Sequence, residues 1–241
     1  GFIFILIMDA VILAGGRGSR LGSLTKSTPK PMIKIGGKPI LWHILKILDA
    51  HGIKNFIICL GYKGNVIKKY LKTIKRKDWK IECVNTGKDT LTGRRIYLVK
   101  NKIKSENFLM TYGDGLANID IKQLIKTHYR KKKLATVTAV NPIPRFGSLH
   151  VKNETVTKFD EKIIEPNNLI NGGFFIINKK IFRSINLSKN VMWEQYPMIE
   201  LTKKKQLSAY YHKSFWHPMD TERDFKFLNK LFSKGAPWKI W

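Results

Sequence analysis

A continuous apolar run at 10–14 (AVILA) ends directly in the glycine-rich segment 15–20 (GGRGSR). Strands that are buried on both faces of a parallel sheet have this pattern, whereas a strand with one face in water alternates apolar and polar residues. The glycines permit a tight turn whose backbone N–H groups can lie close to a ligand. The two features together favour an α/β fold with a ligand-binding loop at the carboxyl end of its first strand.

An alternation of apolar runs and amphipathic segments continues to about residue 140. It predicts strands at 10–14, 56–60, 80–84, 107–112 and 134–140. Helices are expected over 39–51 and 63–73, and from Asp120, where Gln123 stands at the spacing of a capping box. Strands and helices in this order form βαβ units, so the predicted fold class is α/β with a doubly wound, mostly parallel, Rossmann-like sheet.

Beyond about residue 145 the apolar runs become shorter, which indicates antiparallel β elements added around a pocket. They are expected at 148–152, 155–160, 173–178 and 207–211, with helices near 179–185, 196–204 and 221–231. No Ser/Gly-rich or Pro-rich tract separates two halves, so one domain is expected over 1–241.

The first seven residues are apolar, but they lack a basic region and a small-residue cleavage site, and Asp9 ends the run. A membrane span would need about 20 apolar residues. We therefore interpret residues 1–7 as a non-native or disordered extension, or as an added edge to the first strand, and we expect no membrane association.

The net charge of +28 raises the possibility of nucleic-acid binding. However, the 45 basic residues comprise 36 Lys and 9 Arg, and the lysines are spread along the whole chain. Base recognition and bidentate phosphate contacts favour arginine. The dense runs at 131–133 and 203–205 fall at predicted helix C-termini, where cations are favoured. A general drift of composition toward lysine is therefore the preferred explanation, and no nucleic-acid partner is expected.

The two cysteines, Cys59 and Cys83, lie in apolar strand-like runs without C-x-x-C spacing. Such residues are typical of buried free thiols in a reducing compartment. We therefore expect a cytoplasmic protein.

The glycine-rich segment matches neither common phosphate-binding motif. A dinucleotide fingerprint starting at Gly16 would need glycine where Leu21 stands, and a Walker A motif fails from each glycine. What remains is a glycine turn followed by Arg20 and Lys30. Because proline restricts the residue before it, Lys30, which precedes Pro31, is expected to be extended. A plain turn with two solvated cations is the alternative interpretation.

Two stretches at family-like separation, 13–21 (LAGGRGSRL) and 29–32 (PKPM), resemble the signature of sugar-phosphate nucleotidylyltransferases. The resemblance implies that Arg20 and Lys30 are catalytic residues that contact the phosphates of a nucleoside triphosphate. It further implies a nucleotide site made of Leu13, Ala14, Gly15, Gly16, Gly18, Ser19, Thr92, Gly93, Arg95 and Gly113.

Two aspartates stand at positions suited to a metal ion. Asp114 lies between glycines after a predicted strand, and Asp220 precedes the last predicted helix. On the residues alone, Asp114 could be a turn former and Asp220 a helix N-cap. The resemblance identifies both as catalytic metal ligands for Mg²⁺, an ion usually held by one or two carboxylates and the substrate phosphates.

The resemblance also implies a sugar-phosphate site. In it Lys162 meets the phosphate, and the remaining members contact the sugar. The implied set is Gly147, Glu161, Lys162, Asn171, Gly172 and Glu194. Without the resemblance, Asn171 and Gly172 would be a turn dipeptide and Lys162 a surface lysine.

Segments including 91–95 (LTGRR), 57–64 (IICLGYKG) and 236–239 (APWK) are similar to the cytidylyltransferase subgroup. The similarity implies CTP and α-D-glucose 1-phosphate as substrates, CDP-glucose and pyrophosphate as products, and a homo-oligomer. It assigns pyrimidine recognition to Thr92, Gly93 and Arg95. Arg94 replaces a usual glycine, and the chain is short between residues 70 and 79. The alternatives are the same reaction with UTP, dTTP or another sugar phosphate, a non-catalytic sugar-nucleotide binder, and a nucleic-acid binder.

Overall fold

The computed structural model describes residues 8–22, 24–142, 147–161 and 168–241. Its strands are β1 (Asp9–Ala14), β2 (Lys34–Ile35), β3 (Lys38–Pro39), β4 (Asn55–Leu60), β5 (Lys80–Asn85), β6 (Asn107–Tyr112), β7 (Gly115–Ala117), β8 (Ala135–Val140), β9 (Ser148–Lys152), β10 (Thr155–Asp160), β11 (Ile170–Asn178), β12 (Leu207–Tyr211) and β13 (Trp216–Pro218). Its α-helices are α1 (Leu24–Ser27), α2 (Ile40–Ala50), α3 (Gly64–Leu71), α4 (Thr92–Leu98), α5 (Ile121–Lys131), α6 (Ile181–Ser184), α7 (Tyr196–Lys203) and α8 (Glu222–Phe232).

One seven-stranded sheet forms the centre, in the order β12-β8-β11-β6-β1-β4-β5. β6, β1, β4 and β5 run parallel, whereas β11 runs antiparallel to both of its neighbours. Shorter antiparallel pairs, including β9–β10 and β7–β13, flank this sheet. The predicted α/β class, with a mostly parallel sheet and antiparallel additions, is confirmed.

One strand direction was wrongly predicted. β12 was expected to be an antiparallel addition, but it pairs in parallel with β8 at the edge of the main sheet. The alternation of side chains along a strand is the same in both pairing directions, so the pattern carries no information on direction. In the structure, β12 is parallel to β8 and therefore antiparallel to β11, from which α6 and α7 lead to it along the chain.

The core consists of two apolar layers, one on each face of the sheet. Successive residues of β1 point to opposite faces, so Ile12 packs into one layer and Val11 and Leu13 into the other. α2, α5 and α8 contribute residues to the layer that contains Ile12, and α4, α6 and α7 contribute to the second layer. β1 is therefore buried on both faces, and its carboxyl end delivers the glycine segment to the edge of the sheet.

Some local signals were read correctly. Asp120 caps α5, because its side chain accepts a hydrogen bond from the backbone N of Gln123 at 3.0 Å. The hairpin strands β9 and β10 have the predicted bounds. Helix α4 and the three-residue strands β7 and β13 were not predicted. In the described part of the chain, no helix has the length and apolar character needed to cross a membrane.

Candidate active site

A cavity of about 350 Å³ lies at the carboxyl ends of β1 and β6. Most residues of the expected nucleotide and metal sites line it, namely Leu13, Ala14, Gly15, Gly16, Gly18, Arg20, Lys30, Thr92, Arg95, Gly113, Asp114 and Asp220. Its wall also contains residues that were not among the expected site residues, namely Pro31, Thr90, Leu91, Tyr112 and Met192. The fold thus brings together segments that are up to about 200 residues apart.

The ammonium group of Lys30 lies between two carboxylates. Its Nζ is 2.6 Å from Asp114 Oδ2 and 2.7 Å from Asp220 Oδ1. Burial alone would lower the pKa of Lys30, but the attraction and hydrogen bonds of the two aspartates outweigh burial and raise this pKa above its usual value. Arg20 Nη2 is 3.0 Å from the same Asp220 oxygen, although the Arg20 side chain is 73% exposed. Two cations and two carboxylates therefore form one cluster at the cavity wall.

Short-range pairing positions the two aspartates. Asp114 follows β6, and its carbonyl oxygen accepts a hydrogen bond from the backbone N of Met219 at 2.9 Å. The pairing of β7 with β13 places Gly115 opposite Pro218, which brings Asp220 next to Asp114. The sequence did not predict β7 and β13, and so it did not predict that their pairing positions the two aspartates.

Helix α8, which follows Asp220, begins one residue later than it would if Asp220 were its N-cap. Thr221 is the N-cap of α8 and forms a capping box with Asp224. The backbone N of Asp220 donates to Asp224 Oδ2 at 3.1 Å. Because Thr221 caps the helix, the side chain of Asp220 is left to face Lys30. The interpretation of Asp220 as a helix N-cap is therefore wrong.

The backbone at Lys30 also differs from the expectation. Lys30 was predicted to be extended, but it begins a single 3-10 turn, Lys30–Met32. Pro29 is extended instead, with φ −66° and ψ 143°. Hydrogen bonds from the backbone N of Met32 to Pro29 O (2.8 Å) and of Ile33 to Lys30 O (3.1 Å) hold the turn against the preference imposed by Pro31. This turn directs the Lys30 side chain toward the aspartates.

The buried Arg95 side chain hydrogen-bonds to the backbone of the glycine segment and of two neighbouring segments. Its guanidinium donates to Thr86 Oγ1 (2.6 Å) and to the carbonyl oxygens of Gly87 (2.8 Å), Leu60 (3.2 Å) and Gly15 (3.2 Å). A Cβ on Gly15 would lie 2.2 Å from Arg95 Nη1, so a side chain at this position would displace the arginine. Burial lowers the pKa of Arg95. Although Arg95 lines the cavity, its donors are directed at three backbone carbonyl oxygens and at the hydroxyl of Thr86.

A hydrogen-bond network joins residues of the expected nucleotide site to Glu194 of the expected sugar site. Thr92 Oγ1 donates to Glu194 Oε2 at 2.7 Å, and the hydroxyl of Tyr112 donates to Glu194 Oε1. Burial, followed by the adjacent Glu194 carboxylate, raises the pKa of Tyr112 far above its usual value, so the hydroxyl keeps its proton. Gly93 does not line the cavity; its backbone N donates to Val191 O at 3.0 Å.

A second cavity, of about 160 Å³, adjoins the first. Tyr112 and Asp114 line both cavities, and the expected sugar residues Asn171 and Gly172 line the second. Trp216 Nε1 donates to Gly172 O at 2.7 Å and fixes this wall. The second cavity is therefore placed where an acceptor could meet a nucleotide phosphate held in the first.

Three other residues of the expected sugar-phosphate site, Gly147, Glu161 and Lys162, are not part of the two cavity walls as described. Gly147 and Glu161 face each other at the base of the β9–β10 hairpin, and neither lines the two cavities. Lys162 and the side chain of Ser19 lie outside the part of the chain that is described.

The two aspartates at the cavity wall, Asp114 and Asp220, can bind a divalent cation if the substrate supplies further ligands. No group of three or more His, Cys, Asp or Glu side chains that could hold a metal ion occurs among the described residues. The carboxylates of Asp114 and Asp220, however, lie close together, since one oxygen of each is within 2.7 Å of the Lys30 ammonium, and each carboxylate has a second oxygen that can bind a metal ion beside it. Two carboxylates suffice for Mg²⁺ when substrate phosphates and water supply the other ligands.

Comparison with known proteins places the chain in a family. The nucleotidyl transferase family model matches residues 9–221, and the chain belongs to this family. The chain is 45% identical over 257 residues to the glucose-1-phosphate cytidylyltransferase of Salmonella typhimurium, which covers 97% of the chain and 100% of that protein. It is 41% identical over 255 residues to a probable glucose-1-phosphate cytidylyltransferase of Bacillus subtilis, with 97% and 100% covered.

A solved structure shows the same fold. The crystal structure of HddC from Yersinia pseudotuberculosis in complex with GMP-PN superposes with a TM-score of 0.72 at 26% identity. It covers 93% of this chain and 99% of that chain. The family model and the two relatives confirm the expected resemblance to nucleotidylyltransferases.

Proposed function

We propose that this nucleotidyltransferase moves a cytidylyl group from CTP to α-D-glucose 1-phosphate, giving CDP-glucose and pyrophosphate. The relatives named for this reaction align over nearly the whole chain. The observation that carries the proposal is the pair of adjoining cavities that share Tyr112 and Asp114. One cavity is bounded by the glycine segment and two cations, as a triphosphate requires, and the other suits a smaller polar acceptor.

The reaction is an in-line displacement at the α-phosphorus of CTP. A phosphate oxygen of glucose 1-phosphate forms the new P–O bond as the bond to pyrophosphate breaks, and the electron pair leaves with pyrophosphate. Such transfers depend on positioning and charge neutralisation rather than on a covalent intermediate. In this role the N–H groups of the glycine segment hold the triphosphate, while Arg20 and Lys30 offset the charge that grows on the leaving group.

Asp114 and Asp220 would hold Mg²⁺. When bound, the ion would supply positive charge to the phosphate oxygens at this point of the cavity. The same two carboxylates orient the ammonium of Lys30, so that its charge is fixed before substrate arrives.

Recognition of the two substrates is linked through Glu194. It accepts hydrogen bonds from Thr92 on the nucleotide side and from Tyr112, which lines both cavities. We propose that Thr92 contacts the pyrimidine and that Glu194, with Asn171 and Gly172, orients the sugar; Gly93, which does not line the cavity, positions Thr92 through its hydrogen bond to Val191. A direct contact between Arg95 and the base stays a prediction, since its guanidinium already holds four acceptors.

A pyrophosphate-release assay tests the proposal directly. CTP, UTP and dTTP are each supplied with glucose 1-phosphate and Mg²⁺, and then CTP with a panel of other sugar 1-phosphates. We expect release with CTP and glucose 1-phosphate to exceed the other pairs, and removal of Mg²⁺ by chelation to abolish it. The Asp114→Asn variant serves as a control for contaminating activity. Faster release with another nucleotide or sugar phosphate would reassign the substrate within the same chemistry.

We further propose that the enzyme is a cytoplasmic homo-oligomer. One face of the β9–β10 hairpin carries four apolar side chains that are 51–60% exposed, namely Leu149, Val151, Val156 and Phe159. A contiguous apolar patch on a basic surface favours contact with another protein surface. Sedimentation of the native chain and of Val151→Lys tests this: a monomer in both cases would contradict the proposal. The free thiols of Cys59 and Cys83 are consistent with a reducing compartment.

A further inference from the structure

A large cleft lies at the end of β6 that is remote from Asp114. Its volume is about 690 Å³. It is formed by the segment that enters β6 and the segment that leaves β11, because Asn107 at the start of β6 pairs with Asn178 at the end of β11. The residues that line it are Lys100, Asn101, Ile103, Lys104, Lys179, Lys180, Phe182 and Arg183. The proposed reaction uses none of them.

The cleft is strongly cationic beyond what composition explains. Five of its eight lining residues are basic and none is acidic. With 45 basic residues among 241, an average set of eight would contain between one and two. Neighbouring carboxylates are engaged outside the cleft: Asp9 accepts from the backbone N of Lys104 at 2.6 Å, and Glu82 pairs with Lys102 at 2.6 Å. A concave surface with one sign of charge concentrates the field and attracts anions.

Parts of the cleft are held in place without a ligand. Lys179 Nζ donates to Ile103 O at 2.9 Å, and Lys100 Nζ lies 4.0 Å from the ring centre of Tyr97. Phe182 stacks on Phe108, with ring centres 6.1 Å apart, and forms a rigid wall. These contacts hold the side chains of two cations in place, one on each of the two segments that form the cleft.

Three further cations have no carboxylate partner. Lys104, Lys180 and Arg183 are exposed and form no ion pair with the described residues. By contrast, the basic run at 131–133 lies at the C-terminus of α5, where cations are favoured by the helix itself, and it lines none of the cavities described above. No carboxylate among the described residues therefore accounts for these three cations of the cleft.

We propose that this cleft binds a small anion with a di- or triphosphate group. The planar fork of Arg183 can pair with two phosphate oxygens, and the lysines supply point charges around them. Nucleic acid would need cations arranged along a track, whereas these cations line one cleft between two short segments. Both free pyrophosphate and a nucleoside diphosphate belong to the proposed ligand class.

Calorimetric titration of the whole chain with pyrophosphate, at about 0.15 M salt, tests the proposal. We expect two binding sites in the unaltered protein, since the active site also accepts this product. Arg20→Ala with Lys30→Ala should remove one. Lys104→Gln with Arg183→Gln should weaken the other about tenfold or more, because charge-assisted hydrogen bonds to two side chains are lost. A parallel titration with CDP shows whether a free or a nucleotide-borne diphosphate binds more tightly.

Lys131→Gln with Lys133→Gln removes the same amount of charge elsewhere and serves as the matched control. It should leave both sites within about twofold of the unaltered protein. A titration in which the cleft variant weakens no pyrophosphate site would overturn the proposal, whether the unaltered protein shows one site or two. Equal weakening by the control variant would also overturn it, because general charge would then explain the binding. The readout is binding alone, so it does not depend on the reaction proposed above.

Discussion

Arg95→Lys is the substitution that most sharply separates a structural role from a role in base recognition. In the structure the guanidinium spreads over four acceptors at 2.6–3.2 Å, three of them backbone carbonyl oxygens. They belong to three segments, at Gly15, at Leu60 and at 86–87. Lysine keeps the positive charge, but it offers a single nitrogen in place of the planar fork. At least two of the four hydrogen bonds would therefore be lost, although Leu60 O and Gly15 O keep the backbone donors Thr86 N and Tyr62 N.

The expected loss of stability follows from these contacts. A hydrogen bond that involves a charged group contributes about 1.5–3 kcal/mol. Losing two such bonds should lower the free energy of unfolding by about 3–6 kcal/mol, a large part of the roughly 5–15 kcal/mol typical of a folded domain. Since Gly15 is one of the acceptors, the affinity for CTP should fall as well.

Urea unfolding followed by tryptophan fluorescence measures the effect. Arg94→Lys is the matched control on the same helix, since Arg94 lies over the ring of Tyr97 at 5.1 Å and should contribute less than about 1 kcal/mol. If Arg95→Lys unfolds within about 1 kcal/mol of the unaltered chain but changes the preference between CTP and UTP, the reasoning is refuted. Arg95 would then recognise the base rather than hold the loop.

Three further predictions follow from the same structure. Asp114→Asn and Asp220→Asn should each reduce turnover by orders of magnitude with little change in the unfolding midpoint; near-normal turnover with Mg²⁺ would contradict their metal role. Arg20→Ala and Lys30→Ala should lower kcat roughly a hundred- to thousand-fold and raise the KM for CTP much less, without rescue by Arg20→Lys; a change in KM alone would make them ground-state contacts. Burial lowers the pKa of His128 to about 4, so the folded state keeps it neutral while the unfolded chain protonates near its ordinary pKa of about 6.5. Stability present above pH 6.5 should therefore decline as pH falls toward 4, and His128→Gln should show a flatter decline in urea unfolding.

Features encoded in short stretches of sequence were predictable. The apolar run at 10–14 defined a strand buried on both faces because the pattern of burial depends on neighbours along the chain. The cap at Asp120 was predictable because its partner, Gln123, is three residues away. The glycine segment and the PKP motif at 29–31 indicated phosphate chemistry by residue type and spacing, and both reach the same cavity.

Features made by distant segments were not predictable. Tyr112 and Glu194 are 82 residues apart, and neither signals the other in the sequence. The strands β7 and β13 have three residues each, too few for a periodic pattern, yet their pairing brings Asp220 to Asp114. The turn at Lys30 was missed because local preference favoured extension, whereas hydrogen bonds and two distant carboxylates stabilise the turn.

The ion cluster at the cavity wall indicates which of its cations changes partner when substrate binds. An exposed ion pair contributes about 0.2–1 kcal/mol, so the contact between Arg20 and Asp220 is easily exchanged for a phosphate. Lys30 is 10% exposed and bonded to both carboxylates, so moving it away would leave two partly buried charges unpaired. Release of Arg20 would free one contact of Asp220 for a metal ion, while Lys30 stays in place. Arg20 is therefore the mobile cation of the site and Lys30 the fixed one.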